Sequence, residues 1–105
     1  MRTVLPPLRA LQAFESFGRL GSVRAAAQEL GVTPGAISQQ IKLLEDHLRI
    51  PLIMKNGRRA ALVPAAKSYH AVLSGGFDKL TQAQVLLAQQ TAQLDVNVSG
   101  LPTLL

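Results

Sequence analysis

Between Asp46 and Asp78 the chain carries no acidic residue, while Arg49, Lys55, Arg58, Arg59 and Lys67 all fall there. A cationic run of this kind suits a polyanion, because each phosphate it neutralises releases condensed counterions. A basic face that is merely solvated would read the same way, so charge alone leaves both open. Other reactive groups are few. The two histidines, His47 and His70, and six carboxylates are scattered, and no glycine-rich phosphate loop is present. His47 follows Glu45-Asp46, yet neighbours along a helix point in different directions, so it reads as a surface histidine rather than a metal ligand. Catalysis, a metal site and a cofactor are not expected. The absence of cysteine excludes disulfide and thiolate-metal chemistry and is compatible with a reducing compartment.

The elements that would position any site are helical. Aromatic residues make up only 4% of the 105 residues, and the abundance of Leu and Ala favours helices over sheets. The organising stretch is Gly21 to Leu48. Ser22 stands where an N-cap belongs, Ala25, Ala26, Ala27 and Leu30 favour a helix after it, and Gly31 ends that helix in a left-handed turn. Val32 is expected to plug the core. Thr33 then caps a second helix with Pro34 at its first position. In that helix Ile37, Ile41, Leu44 and Leu48 trace one face, leaving Gly35, Ser38, Gln39 and Lys42 on the other. Ala26 is small enough to let the two helices cross closely, as in a helix-turn-helix, although any helical hairpin fits these facts as well.

Before this pair, Pro6-Pro7 lead into a helix whose Leu8, Leu11, Phe14 and Phe17 recur at helical spacing, with Gly18 and Gly21 ending it. The phenylalanines read as core rather than as platforms for bases. After Pro51, the extended runs 52–55 and 60–63 flank Asn56-Gly57-Arg58-Arg59, a strong hairpin signal. The basic run thus lies on a β-hairpin, or wing, with Arg58 the preferred contact at its tip for a minor groove or flanking phosphates.

From Pro64 a long helix is expected to about residue 94. Tyr69, Leu73, Gly76, Leu80, Ala83, Leu87, Gln90 and Leu94 alternate at four and three, the seam of a coiled-coil-like helix that wants a partner. Folding back on its own domain is the alternative, and the seam's length favours a second chain. Gly75-Gly76 within it should kink the helix or admit a close neighbour. No apolar run approaches the roughly 18 residues a membrane span needs, so a cytoplasmic protein is expected.

GSVRAAAQELGVTPGAISQQIKLLEDHL, followed by PLIMKNGRRAALVPAA and a long helix, resembles the N-terminal DNA-binding region of the LysR-type transcriptional regulators. LPPLRALQAF is similar to that family's first helix, and the likeness covers about residues 5 to 94. It implies a mainly α fold: a three-helix winged helix-turn-helix over 1–63, with the helix-turn-helix at about 22–48 and the wing at 51–63. A dimerisation (linker) helix over 64–94 would follow. It implies binding of double-stranded DNA at palindromic operators, by homodimers or by tetramers of full-length chains. Carried over by position, the contacts would be Thr33, Pro34, Ser38, Gln39 and Lys42 on the recognition helix, with Arg58 and Arg59 in the wing. Ser22 and Arg24 would meet phosphates at the start of the preceding helix. Dimerisation would use Tyr69, Leu73, Leu80, Ala83, Leu87 and Leu94.

The departures bear on specificity. Pro34 and Gln39 stand where members commonly have Gln and Arg, and Gln pairs with adenine where Arg favours guanine. Ile53 and Lys55 stand where Phe and Arg are usual, and Arg49 where Gly is. Val96 and Val98 alternate like the first strand of the family's effector domain, so residues 95–105 are expected to be its remnant in a shortened chain, with the small-molecule effector bound only by the missing part. A rival role follows: an interaction module that pairs through the linker helix and sequesters full-length regulators.

Overall fold

The structure, a computed structural model, describes residues 4–97, with side chains in the last helix described as far as residue 92. It contains α1 (Leu8–Leu20), α2 (Val23–Leu30), α3 (Pro34–Leu48), β1 (Ile53–Asn56), β2 (Arg59–Leu62) and α4 (Pro64–Asn97). Two compact units divide within α4, one ending at Ser74 and the other beginning at Gly75.

In the first unit α1 packs against α2 and α3, which also pack on each other. The core is the set the spacing anticipates: Leu11, Phe14 and Phe17 of α1, Ala26 of α2 with no exposed surface, and Ile37, Ile41 and Leu44 of α3. Their burial supplies most of the stabilisation, at roughly 25 cal/mol per Å² of apolar surface. Leu8, by contrast, is exposed, and Leu48 at the end of α3 is only half-buried.

Gly21, not Gly18, ends α1: its φ of 74° is left-handed and its N–H donates to the Phe17 carbonyl at 2.7 Å. Gly18 stays helical, and His70 of α4 occupies the place its side chain would take. Gly31 closes α2 at φ 69°, donating to Gln28, while the N–H of Val32 reaches back to the Ala27 carbonyl at 3.0 Å. This double bond pattern is a Schellman turn. It carries Val32 to the surface, where the side chain is 46% exposed and does not plug the core.

The hairpin keeps the pairing that the expected runs imply, but each strand lies one residue nearer the turn. Asn56 pairs with Arg59 and Ile53 with Leu62, leaving Gly57-Arg58 as the two-residue loop. Gly57 has φ 70° and Arg58 does not share a positive φ, the signs of a II′ turn, which wants glycine first.

Three turns of α4 belong to the first unit. The Tyr69 ring lies 5.5 Å from that of Phe14, and His70 meets Phe14 edge-on at 5.6 Å. Tyr69, expected in a seam between chains, therefore packs on its own domain, and burial pushes its hydroxyl pKa up. A polar chain accompanies this packing. Ser74 donates to the Glu15 carboxylate at 2.9 Å, Arg19 bridges Glu15 at 3.0 Å and Glu29 at 2.6 Å, and Ser16 donates to Glu29. Burial alone would raise the Glu15 pKa, but the hydrogen bonds from Arg19 and Ser74 and the Arg19 charge outweigh it and hold the group low. Hydrogen bonds from Arg19 and Ser16 lower Glu29 likewise.

In the second unit α4 continues unbroken through Gly75-Gly76, and a Cβ at either glycine would meet nothing within 4 Å, so no close neighbour among the described residues uses them. The helix reaches Asn97 rather than stopping at 94: Asp95-Val96-Asn97 holds no helix breaker, the first being Gly100. The rest of the expected strand, residues 98–105, lies outside the described residues, as does the Leu94 side chain. No helix among the described residues is long and apolar enough to cross a membrane.

Candidate nucleic-acid interface

Local chemistry builds α3 and decides what it shows. Thr33 Oγ1 accepts from the Ala36 N–H at 3.1 Å and Pro34 occupies the first turn. With Ile37, Ile41 and Leu44 held in the core, the rest of the helical period faces out, and Thr33, Pro34, Gly35, Ser38, Gln39 and Lys42 are all exposed. Ser38 and Gln39 have no side-chain hydrogen-bond partner among the described residues, so their donors and acceptors are free for a ligand. Apart from Lys42 this stripe is uncharged.

Ser22 caps α2 in the same manner, its Oγ accepting from the Ala25 N–H at 3.1 Å. Both cap hydroxyls use an oxygen lone pair within the chain and keep a hydrogen to donate, the polarity that suits a phosphate oxygen. Arg24, in the first turn of α2, is exposed.

The hairpin brings cations to α2. Arg58, Arg59 and Ala60 line a surface groove of about 560 Å³ with Phe17, Gly21, Ser22 and Val23. Ser22 and the two arginines thus share one surface, while Ser38, Gln39 and Lys42 form the separate stripe along α3. A neighbouring groove adds Lys67 and His70 to Arg59, and Lys67, in the acid-free run, is the basic residue the site reading passed over. Ion pairs among the described residues involve Arg19 alone; Arg24, Lys42, Arg58 and Arg59 have no carboxylate oxygen within 4.0 Å. Among the described residues their charge is uncompensated. A face of neutral hydrogen-bonding groups with free cations on an adjoining hairpin can grip a polyanion and still read its edges.

Residues 8–67 match the family model described as bacterial regulatory helix-turn-helix protein, lysR family. The HTH-type transcriptional regulator TrpI of Pseudomonas aeruginosa is 41% identical over 98 residues, which are 93% of this chain and 33% of that protein. The glycine cleavage system transcriptional activator of Escherichia coli is 39% identical over 99 residues, 94% of this chain and 32% of that one. The chain therefore spans about a third of the length of the curated relatives it matches. Among solved structures, the BenM DNA-binding domain in complex with catB site 1 DNA superposes with a TM-score of 0.70 at 24% identity, over 82% of this chain and 94% of that one. OxyR of Corynebacterium glutamicum gives 0.70 at 22%, covering 87% of this chain and 28% of that one. At these identities the likeness establishes the fold.

Proposed function

The chain belongs to the lysR family of bacterial regulatory helix-turn-helix proteins, and from that premise we propose that it binds double-stranded DNA sequence-specifically to regulate transcription. The recognition helix α3 enters the major groove with Ser38, Gln39 and Lys42, next to Thr33 and Pro34 at its start. Arg58 and Arg59 of the wing meet the flanking minor groove or backbone, and Ser22 and Arg24 meet phosphates. The observation that carries this reading is the exposed face of α3, together with cations on α2 and the wing, neither of which has a side-chain partner among the described residues. BenM, whose domain has the same fold, is seen in complex with DNA.

Two copies pair through α4 on a palindromic operator. What supports pairing is the row of exposed apolar residues in the second unit, with Leu80 at 55% and Leu87 at 60% exposure, beside Ala83. The same row supports a second reading, in which the chain pairs with full-length regulators and withholds them from DNA. An effector, on either reading, acts through the remaining two thirds of the longer relatives.

Selection from a random duplex pool, followed by gel shifts over a salt series, separates the two. A selected sequence that binds and weakens steeply with salt supports DNA binding. A dimeric sample that shifts no duplex at low salt contradicts it and leaves the sequestering module.

A further inference from the structure

We propose that Glu45 is a positioning residue that sets the wing against α3 during DNA binding, an inference resting on the DNA-binding reading above. Glu45 lies in the last turn of α3, where the helix dipole disfavours a carboxylate, so its placement wants a compensating interaction. The structure supplies two at the carboxylate, beside two helix-end bonds at the backbone carbonyl. Its backbone carbonyl accepts from the N–H of Arg49 at 2.7 Å and of Ile50 at 3.3 Å. Its Oε2 accepts from the N–H of Leu52 at 2.7 Å and of Ile53 at 3.3 Å. Between Arg49 and Ile53 only Pro51 fails to donate to Glu45, and Pro51 has no N–H. The whole connection from α3 to β1 is wrapped around one residue.

Leu52 passes that hold to the hairpin. Its side chain is 3% exposed, and its carbonyl accepts from the Val63 N–H at 2.9 Å, closing the base of the two strands. Glu45 thus reaches β1 directly and the far end of β2 through Leu52. A two-stranded hairpin is marginal by itself, so its orientation depends on what anchors its base. Among the described residues Glu45 is the only side chain hydrogen-bonded to residues 51–63. Arg58 and Arg59 sit at the other end of those strands, and the direction in which they point relative to Ser38 and Gln39 follows from this anchor. The carboxylate touches no DNA in this account; it acts through the wing.

The test uses the full chain and a duplex selected by it from a random pool, with Kd read over a salt series and folding checked by circular dichroism. Glu45→Gln keeps a carbonyl oxygen able to accept both N–H groups and should bind within about twofold of the parent. Glu45→Ala should bind about tenfold more weakly. Its log Kd against log salt slope should fall by about two, at roughly 0.9 for each phosphate lost by Arg58 and Arg59. Its preference among single-base variants facing α3 should stay within about twofold of the parent. Glu45→Asp, one methylene too short, should behave as the Ala variant does and serves in its place if that variant does not fold. A folded Ala or Asp variant with the parent's affinity and slope overturns the proposal alone, as does a Gln variant as weak as the Ala one. A parent chain that binds no duplex overturns the DNA-binding reading and this proposal with it.

Discussion

His70 of α4 occupies the space that a side chain at Gly18 of α1 would need: a Cβ built on Gly18 would overlap the imidazole ring, whose Nε2 lies 2.8 Å from the Glu15 carbonyl. The glycine is retained inside a helix at a propensity cost of about 1 kcal/mol because it lets α4 approach. Gly18→Ala should recover that propensity yet lose about 1–3 kcal/mol to overpacking, so thermal melting should fall by several degrees. In a His70→Ala background the same substitution should be neutral or stabilising. A double-mutant cycle with no coupling between the two positions would contradict the contact.

Arg49 closes α3 in the left-handed region at φ 60°, where a Cβ is disfavoured. Arg49→Gly should stabilise the first unit by about 0.5–1 kcal/mol, since the strain relieved exceeds the extra entropy of the unfolded chain. Chemical denaturation of the two proteins measures this. An equal or lower midpoint for Arg49→Gly would contradict it.

Glu15 and Glu29 both titrate below their ordinary value of 4.5 in the folded chain. A depressed carboxylate contributes stability that is fully present above its unfolded pKa and is lost as pH falls through the folded one. Denaturation midpoints should therefore hold from pH 7 to about 5 and drop on further acidification, and Glu15→Gln should flatten the drop while lowering the plateau. An acid profile of Glu15→Gln with the parent's steepness would show that this group does not carry the effect.

What local chemistry decides was legible in the chain. The caps Ser22 and Thr33, Pro34 at the start of α3, and the Gly31 turn depend on residues within one helical turn, and the structure has them as read. The buried face of α3 followed from the 3.6-residue period, which also left Ser38, Gln39 and Lys42 outside. What required distant partners was not legible. Nothing near His70 announces Gly18, and the Tyr69 seam position could not reveal a ring packed at a tilt against Phe14. Glu45 and Leu52 lie seven residues apart on either side of Pro51, a spacing that matches no capping pattern. The wing's pairing follows from the two runs, but its loop is two residues rather than four, because whether Asn56 and Arg59 belong to the turn or to the strands is decided only by their pairing with each other.

Pairing through α4 has its own signature. Leu80→Glu combined with Leu87→Glu changes two exposed side chains of the second unit and no core residue of the first. Sedimentation should report a dimer for the parent and a monomer for the variant, with helix content little changed. A parent that stays monomeric at high concentration, or a variant that stays dimeric, would refute that interface.

The most direct test of sequence-specific binding is the discrimination of the parent, Ser38→Ala and Gln39→Ala proteins between a selected duplex and its single-base variants. Loss of a good base contact should cost about 1–3 kcal/mol of discrimination at one or two positions, while Arg58→Ala weakens all the duplexes about equally. If the Ser38→Ala and Gln39→Ala proteins rank every variant as the parent does, α3 does not read the sequence.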